Sequence, residues 1–283
     1  MKSRCRAFSL VELLVVVAIL GIVIAILLPY MTKVRETSRR VECAANLLAI
    51  NDALHAYANA NNHFYPSVIH DKSRPGYTAY TGADSPDPFA KDSTVDPNDV
   101  TASLWLLVRG GYVPAKRFIC PSTRDVPGFQ GSGPEKRSNF ASGKNLSYSY
   151  SSPFSNSPDY KLDDTQVADF AVMADKNPGV NPPDSDVVQP AYDASPFELA
   201  KANSKNHKRA GQNVLYADGH VAFQSTPYCG NGLGDRRDNV FTARAPVPQA
   251  ADRMPPAESN GFFGRDLSPA GATDSYLVPA DDD

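Results

Sequence analysis

The chain has 283 residues, 42% hydrophobic and 21% charged, with a formal net charge of −3. The apolar share allows a sizeable core, and the acidic balance argues against nucleic acid as a partner of the whole domain. At the N-terminus a short basic leader (Lys2, Arg4, Arg6) meets a 21-residue apolar run, Phe8 to Leu28, interrupted by one acid, Glu12. Such a run reaches about 30 Å as a helix, the hydrocarbon thickness of a bilayer. A secretory signal peptide would have a shorter core, about 7–15 residues, and a small-x-small site after it. Here Pro29-Tyr30-Met31 follows instead. A plain anchor accounts for the length but not for Glu12, because a carboxylate deep in a bilayer costs about 3 kcal/mol and calls for a partner.

Ala7-Phe8-Ser9-Leu10-Val11-Glu12 resembles the cleavage and methylation site of type IV prepilins and type II secretion pseudopilins. The resemblance covers about 30 residues. It implies cleavage between Ala7 and Phe8 by a prepilin peptidase and N-methylation of Phe8; Ala7 stands where the family usually has Gly. It also implies that Glu12 pairs with the Phe8 ammonium of a neighbouring subunit and so sets the axial register of a filament. Burying both charges together in an apolar core is tolerable where burying either alone is not. Pro29 falls where many pilins have a helix-kinking proline. The basic leader favours a cytoplasmic N-terminus, while Lys33, Arg35, Arg39 and Arg40 after the span argue the other way. The resemblance implies leader inside and remainder outside.

Met31 to about Ala60 contains neither glycine nor proline. Leu47, Ile50, Leu54 and Tyr57 recur at helical steps, and Val34, Val41 and Leu48 extend the pattern upstream at seven-residue steps. The reading is one long helix over 8–61, its first part (8–28) in the membrane and its second part amphipathic, packed on a small sheet. From Tyr77 to Asn98 the texture is that of a loop. Asp99 or Thr101 caps a short helix from Ala102 to Arg109, which ends at Gly110-Gly111. Phe118-Ile119-Cys120-Pro121 reads as a chain turning after a buried pair. Strands are predicted where Leu146, Tyr148 and Tyr150 alternate with serines, at Val167–Ala174 ending on Asp175, and on both sides of Asp218-Gly219. That dipeptide between apolar runs signals a type I′ hairpin.

His207, then ten intervening residues, then Asp218-Gly219-His220-Val221 is similar to the C-terminal signature of the prepilin-type processing-associated domain. That resemblance supplies no catalytic residue. The expected fold is α+β and pilin-like: leader 1–7, helix 8–61, a globular extracytoplasmic domain 62–245, and an extended or disordered proline-rich tail 246–283.

Without the leader, Cys43, Cys120 and Cys229 remain, an odd number. One disulfide plus one free thiol fits an oxidising compartment, and the spacing leaves the pair open. His207, Asp218, His220 and Asp175 form the one polar set worth testing as a site. A divalent metal on His207, Asp218 and Asp175 is one reading, although Asp218 also suits a turn and Asp175 a strand end. Asp235, Asp238 and Asn239 are a looser calcium candidate. A nucleophile–base pair would need Cys120 or Cys229 with His207, and no local motif supports either, so no enzyme and no cofactor are expected. Two function classes remain. One is a pseudopilin-like structural subunit, partnered by prepilin peptidase, other pilin subunits, an inner-membrane secretion platform and lipid. The other is a tethered module that binds an exoprotein, a polysaccharide or a surface.

Overall fold

A computed structural model describes residues 10–74, 76–128, 133–179, 190–232, 237–244 and 267–279. The chain divides into two compact units, residues 1–39 and 40–283. Helix α1, Leu10–Ala60, runs through the division, with Pro29 inside it and Glu12 in its first turn. In the first unit every large apolar side chain from Leu10 to Leu28 is exposed. The helix is long and apolar enough to cross a membrane. An aqueous surface would not tolerate such a continuous apolar exterior, whereas hydrocarbon does.

In the second unit α1 packs on a small antiparallel sheet, giving an α+β arrangement. Its buried row is Cys43, Leu47, Ile50, Ala53, Leu54 and Ala58, one stripe at helical spacing. The seven-residue extension predicted from the sequence does not share that fate. Val41 is 66% and Leu48 44% exposed. Each lies one or two positions off the buried row, and a helix turns about 100° per residue, so both face solvent.

Helix α2, Val100–Arg109, starts two residues before the predicted Ala102 and takes the first of the two candidate caps, the Asp99 side chain accepting from the Ala102 N–H. It is apolar on nearly every side and buried from Val100 to Val108. Trp105 meets Phe140 edge-on, and its indole N–H donates to the Arg137 carbonyl. Asp99, itself fully buried, accepts from five donors. Ala102 N and Thr101 Oγ1, each at 2.8 Å, reach Oδ1; Thr81 N (2.9 Å), Thr81 Oγ1 (2.7 Å) and Asn139 Nδ2 (3.0 Å) reach Oδ2. One carboxylate thereby ties the loop around Thr81, the start of α2 and the segment at Asn139.

The sheet has the order β4-β3-β2-β1-β5 and every pairing is antiparallel. Its strands are β1 (Tyr148–Ser151), β2 (Ala171–Asp175), β3 (Gln212–Tyr216), β4 (Val221–Gln224) and β5 (Leu277–Val278). Tyr148, Tyr150, Met173, Leu215 and Val278 belong to the core that contains the α1 stripe. Ala171, Ala174, Val214, Tyr216 and Leu277 face a second cluster with Cys229, Val240 and Phe241. The register shift between Ala171 and Met173 is a local irregularity in β2. Because both faces are covered, the serines that alternate with the tyrosines of β1 are buried too. Ser149 shows how they are satisfied: its hydroxyl donates to the Pro279 carbonyl (2.7 Å) and accepts from Asn177 N (2.8 Å).

Two expectations are corrected here. The tail does not stay extended or disordered throughout: β5 pairs with β1, and Tyr276, Leu277 and Val278 are buried. Three consecutive large apolar or aromatic residues supply what a sheet edge needs, and composition averaged over the tail conceals them. Residues 245–266 lie outside the described residues. The β3–β4 turn is not type I′. Gly219 has φ +87°, while neither Ala217 nor Asp218 has positive φ, and Gly219 N donates to Tyr216 O while Tyr216 N donates to His220 O. This is a three-residue loop closed by a left-handed glycine, the bulge-type hairpin.

Candidate functional site

Among the described residues, one group of metal-binding side-chain types converges: Cys43, Cys120, Asp175 and His207, whose ligand atoms all lie within 4.8 Å of one another. All four residues are fully buried. Cys43 comes from the buried stripe of α1 and Cys120 from the segment after a 3-10 turn, Ala115–Phe118. Asp175 is the last residue of β2. His207 precedes β3, in a turn where Lys208 and Arg209 both take left-handed backbone (φ +58° and +60°). Cys43 and Cys120 form a disulfide across 77 residues, with Cα atoms 5.4 Å apart, and Cys229 is free and buried. Burial pushes the Cys229 thiol up to about 12, so it is an inert thiol.

Three of the four, His207, Asp175 and Cys43, are held by a further group. His207 Nδ1 lies 3.0 Å from Ser122 Oγ. His207 Nε2 lies 3.7 Å from Cys120 Sγ, 3.4 Å from Asp175 Oδ2 and 3.2 Å from Asn213 Nδ2. Asp175 Oδ2 accepts from Asn213 N (2.6 Å) and Asn213 Nδ2 (3.2 Å), and Oδ1 accepts from Asn206 Nδ2 (3.1 Å). Asn206 also donates to the Ser147 carbonyl of the neighbouring chain segment. Tyr148 donates its hydroxyl to Cys43 Sγ at 3.3 Å. Burial, with Asp175 nearby, raises that phenol far above its usual range, so it remains a donor. The cluster therefore joins α1, β1, β2 and the turn before β3.

Of the residues predicted from the sequence, His207 and Asp175 come together and Asp218 does not join them. The Asp218 carboxylate is consumed by its own turn. It accepts from His220 N (3.1 Å) and lies 2.5 Å from His220 Nδ1, with both side chains about half exposed. These contacts hold the Asp218 carboxyl below its usual range. His220 stacks on Tyr216 with ring centroids 4.5 Å apart. Gly219 faces α1, where an added Cβ would lie 3.2 Å from Asn51 Nδ2. The metal set His207, Asp218 and Asp175 is thus corrected: local hydrogen bonds of the turn take Asp218, and two cysteines stand with the other two. Cys43 sits four residues before Leu47 on the buried stripe, a spacing that places it inward; its meeting with Cys120 is a tertiary fact. Ala7 and Phe8 lie outside the described residues.

The looser calcium candidate is also redrawn. Asp235 lies outside the described residues. Asn239 turns its Oδ1 to Phe241 N. Asp238 faces a cation already, Arg244 Nη2 at 3.1 Å. Asp274 accepts from two backbone N–H groups, those of Arg244 and Ala270. Burial and the nearby Asp274 push Asp238 up to about 8, despite Arg244. The folded chain then keeps a proton that the unfolded chain releases above the ordinary carboxylate range. Stability contributed by that proton is present at pH 4 and falls as pH rises toward 8. Asp238→Asn, which mimics the protonated acid, should match the parent near pH 4 and melt higher at pH 8. The gap should widen by at most about 1.4 kcal/mol for each pH unit between them, and each kcal/mol is worth about 2–4 °C for a domain of this size. Thermal melts at the two pH values check it.

Residues 2–28 match the family model of the prokaryotic N-terminal methylation motif. The chain therefore carries a prepilin-type N-terminus, that of a type IV pilin or pseudopilin, on one apolar helix of membrane-anchoring length. No curated protein and no solved structure matches the chain.

Proposed function

We propose that the chain is a pseudopilin-like structural subunit of a type II secretion or type IV pilus-type system. The observation that carries this is the methylation motif at residues 2–28 on a helix whose large apolar side chains from Leu10 to Leu28 are all exposed. Prepilin peptidase removes residues 1–7 and methylates Phe8, leaving the second unit outside the cytoplasmic membrane. The mature helix then assembles with those of other subunits on an inner-membrane platform, after lipid has held it as a single-pass anchor. The subunit is not an enzyme. In support, the imidazole beside a sulfur, His207, is fully buried, and that sulfur is in a disulfide. N-terminal mass analysis of the membrane-bound chain should find N-methylated Phe8. A mature start at Tyr30 or Met31 would mean a signal peptide and end the pilin reading.

A further inference from the structure

The Cys43–Cys120 disulfide is not packed in a purely apolar pocket. A histidine nitrogen and a carboxylate oxygen lie within 4.8 Å of its sulfurs, all four residues have no solvent exposure, and none comes from the same element as another. A disulfide needs neither group. The distances have another reading. Zinc bonds of about 2.0–2.3 Å to N, O and S in a tetrahedron put N and S about 3.5 Å apart and N and O about 3.3 Å apart. Here His207 Nε2 is 3.7 Å from Cys120 Sγ and 3.4 Å from Asp175 Oδ2.

The surrounding groups fit the same reading. A ligating histidine has its other nitrogen fixed by a polar partner, and a ligating carboxylate is itself hydrogen-bonded. Ser122 meets His207 Nδ1, leaving Nε2 toward the cluster. Asn206 and Asn213 hold Asp175, and the Tyr148 hydroxyl donates to Cys43 Sγ, as it would to a thiolate.

We propose that Cys43, Cys120, His207 and Asp175 form a redox-gated zinc site. In the oxidised chain the disulfide occupies it. Two equivalents of a small thiol reduce that bond, giving two cysteine thiols and one small-molecule disulfide. Zinc then displaces both thiol protons and binds two thiolate sulfurs, His207 Nε2 and Asp175 Oδ2. The disulfide ties α1 to the segment at Cys120, and zinc would tie both to β2 and the turn before β3, so the domain keeps its helix anchored in both redox states. This inference stands on the cluster alone and is independent of the pilin reading.

The test uses the full chain in detergent, reduced by a dithiol that is removed anaerobically before metal is added. Cobalt(II) replaces zinc as the probe. One equivalent should produce a thiolate-to-cobalt charge-transfer band together with the strong visible bands of a tetrahedral ion. The oxidised chain should produce neither, and Cys229→Ser should leave the result unchanged. Ser122→Ala should weaken binding about 10–100-fold, and His207→Gln or Asp175→Asn at least tenfold. Absence of the charge-transfer band in the reduced parent overturns the proposal. So does affinity that is unchanged in folded His207→Gln and Asp175→Asn, since the thiols would then act alone. Should those variants fail to fold by circular dichroism, cadmium-113 NMR of the unsubstituted reduced chain decides. A shift in the range for two sulfur ligands with nitrogen and oxygen supports the site, and one for oxygen ligands only refutes it.

Discussion

Asp99→Ala should destabilise the second unit by about 3–5 kcal/mol, the largest loss expected from any single polar substitution described above. Losing the α2 cap alone accounts for about 0.5–2 kcal/mol. The remainder comes from donors left behind in a buried place, at about 1–3 kcal/mol for each that finds no new partner. Five donors converge on the two carboxylate oxygens, and several will regain partners by small shifts, so the terms do not add in full. At about 2–4 °C per kcal/mol for a domain of this size, the melting temperature should fall by roughly 10 °C or more. Asp99→Asn should fall between the parent and the alanine variant, because an amide nitrogen would then face donors that need an acceptor. Thermal melts of the three chains provide the measurement. An alanine variant that melts within a degree of the parent would show that the network contributes nothing net.

Glu12→Ala should leave membrane insertion unchanged or slightly better while removing the chain from filaments. The carboxylate costs about 3 kcal/mol at bilayer depth, and alanine removes that cost. In the assembled fibre the balance reverses, because the Phe8 ammonium of a neighbouring subunit would lose its partner in an apolar core. Breaking one side of a buried ion pair costs about 3–5 kcal/mol. At 1.4 kcal/mol per tenfold, that is a loss of roughly 10²–10³ in association. Glu12 lies in the first turn of α1, within the apolar exposed segment. Comparing the variant in sheared-fibre and membrane fractions by immunoblot tests it: parental levels in the membrane with parental incorporation into fibres would rule out the register role.

Local signals in the sequence were read correctly where they concern one element at a time. The apolar run and the prepilin-type methylation motif need no tertiary contact to be recognised, since hydropathy and a short motif are linear properties. The stripe Leu47, Ile50 and Leu54 and the strand at Tyr148 follow from periods of 3.6 and 2, the strands around Met173 and Leu215 from short apolar runs beside Asp175 and Asp218-Gly219, and the cap from the choice of Asp99 or Thr101. Val41 and Leu48 do not join the buried row because, although a seven-residue step keeps them on one face, that face lies about 100° or more around the helix from the packed row through Cys43 and Leu47.

By itself the sequence determined the membrane-anchoring helix, the prepilin-type N-terminus, the α+β class and the hairpin at Asp218-Gly219. Each is written in contiguous residues through hydropathy, period or turn chemistry. Only the tertiary structure decided that Cys43 pairs with Cys120, that Asp175 and His207 join them while Asp218 does not, and that Leu277 and Val278 finish the sheet. Those outcomes depend on chain segments separated by tens to more than a hundred positions. No local propensity encodes such meetings; they arise because burying the α1 stripe and both faces of the sheet brings these segments to the same place.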